Sequence, residues 1–596
     1  MSNEERTLRR DRGSFSSCCL PVVTHPRLQN AGYVDMSQLI ERQVIGVHSR
    51  APLSKTSVIA HQLDTMMQIA AWVALIGLTL AAFLLRAPHL DAQSLWRDEV
   101  DVLRLANQPI PQLVRDMTKM QHNGPLYYLL VRGWLRLVGQ SEFGLRYLAL
   151  LFGIVSIPLV YRVGRRLVGG QASALAAVVV TISPYLVWYS QDGKMYAMVA
   201  ALTLLAVWCQ LEALATGRVG WWVGFVMAAS LSLYTHILSA LMLPVYLVAF
   251  VLAWPHSRWQ WRRGCVAFGL LTLPYVPLAA WQLPLVVNSH DTGHPFYPLH
   301  QMLSLLFNLY SRGTAMVGSW PVVAAFLFAL FAGVFFSTRH ADPEKQGRGR
   351  EPSNTLSQRA SDDGSHMHGQ RQASLLQGSY VSPALLSNPA GMRARLFLLV
   401  WLFLPMALIY LISLRAPVFE PRYLIFAAPA FYLLAALGIV SLSKLSRAAT
   451  GLSLAVILSF SLLGVWIQAS TPIKSDFRAA AGYVQAHHQN GTPIMFQMPY
   501  VQYTFEYYYG HDYVALEGPW TNDGKAETEV ADGLARQLQG YSDLWLVASE
   551  SWLWDSRDLT QAWLNQHAHL IESASFTLVD VYHYALTDAS PGKQPG

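Results

Sequence analysis

The sequence predicts an α-helical polytopic membrane protein that ends in a small soluble α/β domain, and three observations carry that prediction. Only 13% of its 596 residues are charged, while 53% are hydrophobic. A soluble domain carries about a quarter charged residues, so this chain has too little charge to cover a water-facing surface. Apolar runs of roughly 20 residues, the length of helix that crosses a bilayer, recur along it. Basic residues gather in alternate loops between those runs, as the positive-inside rule requires.

The length rule gives about eleven spans, at 66–86, 143–161, 171–190, 195–214, 221–237, 238–254, 264–283, 316–337, 394–413, 423–441 and 448–468. Residues 124–138 are too short and too charged for a span and suit an amphipathic helix in the interface. The 221–254 stretch divides only at Tyr234-Thr235-His236, its one polar break. With the N-terminus inside, the inner loops hold Arg162, Arg165 and Arg166, then Arg218, then Arg258, Arg262 and Arg263, then Lys444 and Arg447. The outer loops around 191–194, 235–238, 284–315 and 414–422 carry few basic residues. This orientation puts the 87–142 loop and the C-terminal tail outside.

The domain plan follows. Residues 1–65 are polar and form a cytoplasmic, disordered region with no cleavable signal peptide at its start. Residues 66–338 form a transmembrane core containing the outer loop 87–142, and 394–468 hold the remaining spans. Between them, 339–393 is rich in Ser, Gly, Gln, Pro and Arg and is predicted to be a disordered cytoplasmic linker. Its His366, His368, Asp362 and Asp363 are linker residues rather than ligands. Residues 470–596 form an outer α/β domain. Helical periodicity appears at Ser475–His487 and Asp558–His569, and strand patterns appear at Pro493–Gln497, Leu544–Ala548 and Phe576–Leu586. No catalytic motif is visible in it.

Some functions are set aside by composition. The net charge of +7 sits in short loops between apolar runs, which is a topology signal and not a nucleic-acid footprint. Cys18, Cys19, Cys209 and Cys265 have neither zinc-site nor disulfide spacing. No Gly-rich phosphate loop or Asp-x-Asp motif outside the linker points to a soluble nucleotide sugar.

The chemistry-bearing residues cluster on the outer side. Leu95-Trp96-Arg97-Asp98-Glu99-Val100-Asp101 follows the first span and places two carboxylates beside a Trp. Ionisable groups at a membrane are functional candidates, but Asp98 could equally cap a helix. A carboxylate there could take a proton from an attacking hydroxyl, and a pair could hold a divalent cation such as Mg or Mn against a phosphate. His122-Asn123-Gly124-Pro125-Leu126-Tyr127-Tyr128, then Arg146, then Gln191-Asp192-Gly193-Lys194-Met195-Tyr196, and finally Glu420-Pro421-Arg422-Tyr423 reach the same face. Arg146, Lys194 and Arg422 could grip a phosphate, whereas Arg104, Arg132 and Arg136 suit snorkelling to headgroups.

These segments, in this order, resemble the GT-C glycosyltransferases of the family 39-like group, which holds the protein-O-mannosyltransferases and aminoarabinose transferases. Trp-Arg-Asp-Glu at 96–99, His-Asn-Gly-Pro-Leu-Tyr-Tyr at 122–128, Leu145-Arg146-Tyr147, Ser190–Ala197 and Pro421-Arg422-Tyr423-Leu424 carry the resemblance over most of 66–440. Ser475-Asp476-Phe477-Arg478 stands where bacterial members often have Asp-Trp-Arg. The resemblance implies GT-C architecture and transfer from a polyprenyl-phosphate sugar to a glycan, lipid or protein acceptor at the outer face of a bacterial plasma membrane. It also implies that Asp98 serves as base or metal-associated acid with Glu99 beside it, so that any metal would sit on Asp98 and Glu99. Substrate contacts are expected from Arg97, His122, Tyr128, Arg146, Lys194, Tyr196, Arg422 and Tyr423. Family members often have Glu in place of Asp192 and Arg in place of Lys194, and the long linker is unusual. Ligation or polymerisation of lipid-linked glycans shares the donor class. A transporter or flippase would instead need ionisable groups near the midplane and repeat symmetry.

Overall fold

Helices carry the chain from Lys55 to Ser470, and the strands among the described residues all lie beyond them. The computed structural model describes residues 55–117, 123–254, 256–287, 294–315, 318–336, 391–489 and 491–586. The expected disordered regions at 1–65 and 339–393 therefore fall largely outside the described residues, as does His122. Met1–Trp72 and Val73–Gly596 are separate units. The first contributes the opening part of one helix, and the fold set out here belongs to the second.

In chain order the helices are α1 (Lys55–Arg86), α2 (Arg97–Asn107), α3 (Ile110–Met117), α4 (Leu126–Val138), α5 (Glu142–Leu167), α6 (Gly170–Ile182), α7 (Pro184–Ser190), α8 (Tyr196–Thr216) and α9 (Val219–Thr235). A 3-10 turn, Ile237–Met242, leads to α10 (Leu243–Leu252), followed by α11 (Trp261–Val287), α12 (Leu299–Arg312), α13 (Trp320–Phe335) and α14 (Met392–Ser413). A second 3-10 turn, Pro421–Ala427, opens α15 (Ala428–Leu442), and α16 (Arg447–Ser470) closes the bundle.

Every apolar run read from the sequence forms helix, but the expected count of about eleven spans is corrected. Among the described residues six helices are long and apolar enough to cross a membrane, or seven if α6 and α7, bent by 58°, form one span. Hydropathy counts apolar residues without asking whether the helix continues through them. The 221–254 run divides at His236, as expected, but its two pieces, Val219–Thr235 and Ile237–Leu252, are short apolar helices, and α13 has only 16 residues. The amphipathic segment at 124–138 forms α4, which buries Tyr127, Tyr128, Val131 and Leu135 on one face.

The spans differ in exposure. The hydropathic windows of Pro421–Leu442 and α8 are 94% and 83% buried, against 11% for Gln68–Arg86 and 28% for α16. The first two form the centre of the bundle, while the last two present apolar side chains outward, as lipid-facing helices do.

The α6–α7 bend is held by a buried arginine. Ser183-Pro184 interrupts the span because proline has no N–H to continue the ladder. Arg86 donates to the freed carbonyls of Thr181 at 2.8 Å and Val180 at 3.2 Å, and to the Ser190 hydroxyl at 3.2 Å. The bend sets the angle at which the chain enters the Gln191–Met195 turn.

The C-terminal domain combines helices with one five-stranded sheet. Its elements are α17 (Phe477–His487), β1 (Ile494–Phe496), α18 (Gln502–Tyr509), β2 (Ala515–Glu517), α19 (Glu527–Gln537), β3 (Asp543–Ala548), α20 (Leu559–His567), β4 (Ala568–Phe576) and β5 (Val579–Leu586). The sheet order is β2-β1-β3-β5-β4, with β1 parallel to β2 and β3, and the β4–β5 hairpin antiparallel. Alternation along β3 sends Trp545 and Val547 to a core with Phe477 and Phe505, and Leu544 and Leu546 to one with Val530, Leu534 and Leu564. Both faces of the sheet are therefore covered. Strand β4 was not foreseen, because its turn at Thr577-Leu578 lacks the usual Gly or Asn although Leu578 has φ 56°.

Candidate active site

The site grows from the first turn of α2. Trp96 is its N-cap, and the Trp96 N–H donates to the Glu99 side chain at 3.4 Å. Adjacent helical residues point about 100° apart, so the neighbouring acids Asp98 and Glu99 face different surroundings.

Glu99 is fully buried. Its Oε1 accepts from Arg146 Nε at 2.8 Å and the Gly193 N–H at 2.8 Å, with Lys474 Nζ at 2.9 Å. Its Oε2 accepts from Arg146 Nη2 at 2.6 Å. Burial raises the Glu99 carboxyl, but Lys474 and Arg146 outweigh it and hold the group well below its ordinary value. Arg146 spends its other donors on the carbonyls of Leu90, Gln93 and Ser94 at 2.6, 2.7 and 2.9 Å. Gly193 is required here: a Cβ would stand 2.7 Å from the Leu145 side chain and 3.2 Å from Glu99 Oε1. The Asp192 carboxylate accepts from Trp96 Nε1 at 3.1 Å and meets Lys474 Nζ at 3.4 Å. Burial raises the Asp192 carboxyl against the pull of Lys474.

Asp98 looks the other way. Its Oδ2 accepts from Arg422 Nη1 at 3.0 Å, and its side chain keeps 17% of its surface open. Burial works to raise this carboxyl, yet Lys194, Arg422 and Arg97 hold it below its ordinary value, so it is ionised at neutral pH. Lys194 is affected in the opposite sense: burial lowers it, and Asp98 with Tyr128 and Asp101 raise it above its usual range. Arg422, on the Pro421–Ala427 turn, lies 5.5 Å from the Trp96 ring and 5.8 Å from those of Tyr196 and Tyr423. That turn is anchored by the Tyr310 hydroxyl, which donates to the Leu424 carbonyl at 2.7 Å. Buried atoms without a hydrogen-bond partner include Arg422 Nε, Asp192 Oδ2, Tyr127 Oη and His236 Nε2.

The C-terminal domain closes over this end of the bundle. Ile473 and Lys474 N–H groups donate to Gln93 Oε1 at 2.8 and 2.9 Å, and Tyr508 Oη accepts the Leu95 N–H at 2.7 Å. Arg478, in the Ser475–Arg478 motif, binds Glu142. Glu550, just after β3, meets Arg97 Nε at 3.0 Å.

The structure thus brings Arg97, Asp98, Tyr128, Lys194, Tyr196, Arg422 and Tyr423 together, and it places Glu99 and Arg146 in the sealed cluster behind them. The two adjacent carboxylates face different partners. Glu99's oxygens accept from Arg146, Lys474 and the Gly193 N–H, and Asp98 faces Arg422. Lys474, Glu550 and His236 were not singled out as site residues. Lys474 follows a span, where a lysine reads as a snorkelling headgroup contact, and Glu550 lies in a domain without a motif.

Residues 122–281 match the family model described as dolichyl-phosphate-mannose-protein mannosyltransferase. The protein YycA of Bacillus subtilis (strain 168) is 25% identical over 246 residues, which are 38% of this chain and 34% of that protein's own length. The chain therefore spans about a third of that relative. Among solved structures, ArnT from Cupriavidus metallidurans in the apo state aligns with a TM-score of 0.50 at 14% identity, covering 87% of this chain and 98% of that one. The same protein bound to undecaprenyl phosphate aligns with a TM-score of 0.49, also at 14% identity, over 88% of this chain and 99% of that one. Over residues 122–281 the chain is therefore similar to the dolichyl-phosphate-mannose-protein mannosyltransferase family, and its fold is similar to that of ArnT.

Proposed function

We propose that this protein transfers a sugar from a polyprenyl-phosphate carrier to a hydroxyl-bearing acceptor at the extracytoplasmic face of a bacterial plasma membrane. One observation carries the reading: an ionised carboxylate with open surface, Asp98, stands 3.0 Å from Arg422 and within the field of Lys194. A base beside two cations suits displacement of a lipid phosphate by a hydroxyl. The description of the matched family names a lipid-phosphate-linked sugar as its donor.

In this mechanism the acceptor oxygen attacks the anomeric carbon and its proton passes to Asp98. The bond from that carbon to the phosphate oxygen breaks, and its electron pair leaves with the lipid phosphate. Arg422 and Lys194 take up the charge, and configuration inverts. Arg422 can serve both sides, since Nη1 is on Asp98 while Nε is unpartnered. Glu99 and Arg146 act as positioning residues: with their polar atoms satisfied inside the protein, they fix α2 against the Gly193 turn and so aim Asp98. The test is transfer in membranes supplied with polyprenyl-phosphate sugars, comparing wild type with Asp98→Asn. Full activity of a folded Asp98→Asn protein removes the proposed base.

A further inference from the structure

The Tyr234-Thr235-His236 break lies against the candidate site. Gly124 packs flat on it: a Cβ there would fall 1.9 Å from the Tyr234 carbonyl oxygen. This close approach brings the Gly124-Pro125 segment and the α9 break together.

His236 is 3% exposed. Its Nδ1 accepts the Leu238 N–H at 3.2 Å, so that nitrogen carries no proton and the ring is the neutral tautomer protonated at Nε2. Nε2 points away from that backbone contact and has no hydrogen-bond partner. The ring lies 5.2 Å from Tyr423 and 6.1 Å from Tyr196, the two rings beside which Arg422 rests. Arg422 and Lys194 are its charged neighbours. A buried donor beside two cations needs an acceptor, and an oxyanion meets all three requirements at once.

We propose that His236 is a donor-binding residue whose neutral Nε2–H donates to a phosphate oxygen of the lipid-linked sugar donor, beside Arg422 and Lys194. The proposal rests on the function read above and adds a residue and a contact to it. A neutral third donor strengthens the grip without adding a charge that the departing lipid phosphate would have to escape.

The test uses the full-length protein in lipid nanodiscs, with a polyprenyl phosphate lacking sugar as the probe and the matching polyprenol as control. His236→Asn keeps an acceptor for the Leu238 N–H but has no donor at the Nε2 position, whereas His236→Gln places an amide N–H near it. Phosphate binding is expected to weaken about tenfold or more in His236→Asn and to stay within about threefold of wild type in His236→Gln, with polyprenol binding unmoved in both. His236→Leu gives the same reading if His236→Asn does not fold. Wild-type affinity in His236→Asn, or equal losses in the Asn and Gln variants, overturns the contact while leaving the function intact. A wild-type protein that binds the polyprenyl phosphate no better than the polyprenol overturns the contact together with the function.

Discussion

Arg146 grips Glu99 through both carboxylate oxygens, at 2.8 and 2.6 Å, with the two side chains 3% and 0% exposed. Removing one partner of such a pair strands a buried charge, at a cost of about 3–5 kcal/mol. Glu99→Gln is therefore expected to lower thermal stability and transfer together. A double Glu99→Gln, Arg146→Met variant should regain part of the melting temperature without regaining activity, because Lys474 still lacks its anionic partner and the Leu90, Gln93 and Ser94 carbonyls lose the Arg146 donors. Wild-type stability in Glu99→Gln would show that the cluster is not what holds α2.

Asp98, one residue earlier, is expected to behave differently. Asp98→Asn leaves the buried cluster intact and keeps an acceptor for Arg422 while losing the charge that faces Lys194 and Arg422, so the melting temperature should fall less than in Glu99→Gln. Transfer should fall by about 10²-fold or more, the usual contribution of a positioned general base. The split between stability and rate, measured by thermal unfolding and sugar-transfer assays, separates the reacting acid from the positioning one. Equal losses in both assays would argue that Asp98, too, is structural.

Gly193→Ala probes the turn that joins these acids. The added methyl would press on Leu145 and on Glu99 Oε1, and overpacking of this kind costs about 1–3 kcal/mol. The variant is expected to unfold at lower temperature and to lose activity by displacing Glu99. Comparison with Gly220→Ala, where a Cβ meets nothing within 4 Å, controls for the loss of glycine itself.

Much of this arrangement was legible in the sequence. The charge deficit and the apolar runs gave the helices, and loop charge grouped Asp98, Lys194 and Arg422 on one face. What escaped the sequence depends on tertiary contact. Arg146 reads as a phosphate ligand because it stands at the start of a span, but its donors point inward to Glu99 and three carbonyls. Arg132 reads as snorkelling, yet it caps the end of α2 through the Ala106 and Gln108 carbonyls at 2.9 and 2.7 Å. The span count exceeds the helices long enough to cross because Val219–Thr235, Ile237–Leu252 and Trp320–Phe335 are apolar but short, and hydropathy does not record where a helix ends. Lys474 and Glu550 could not be placed at all, since nothing local records which surface of the C-terminal domain meets α2.

Glu550 gives the last prediction. It sits in the left-handed region at φ 51°, a conformation uncommon for residues with a side chain, and it projects from the end of β3 onto Arg97 at 3.0 Å. Burial raises its carboxyl, Asp98 and Asp101 add to the rise, and Arg97 and Arg422 oppose it without cancelling it. A carboxyl raised in the folded state binds its proton more tightly there, so ionisation costs the fold as pH rises through the raised value, and the cost is absent below the ordinary glutamate value of about 4.3. Glu550→Gln should therefore melt slightly higher than wild type at pH 8 and equal it at pH 4. Transfer should move the other way, falling severalfold at pH 8 as Arg97 loses its partner beside Asp98. Because the two residues touch, the effects of Glu550→Gln and Arg97→Gln on transfer should be non-additive by about 0.5 kcal/mol or more. Additive losses would mean that the C-terminal domain does not act on the site through this ion pair.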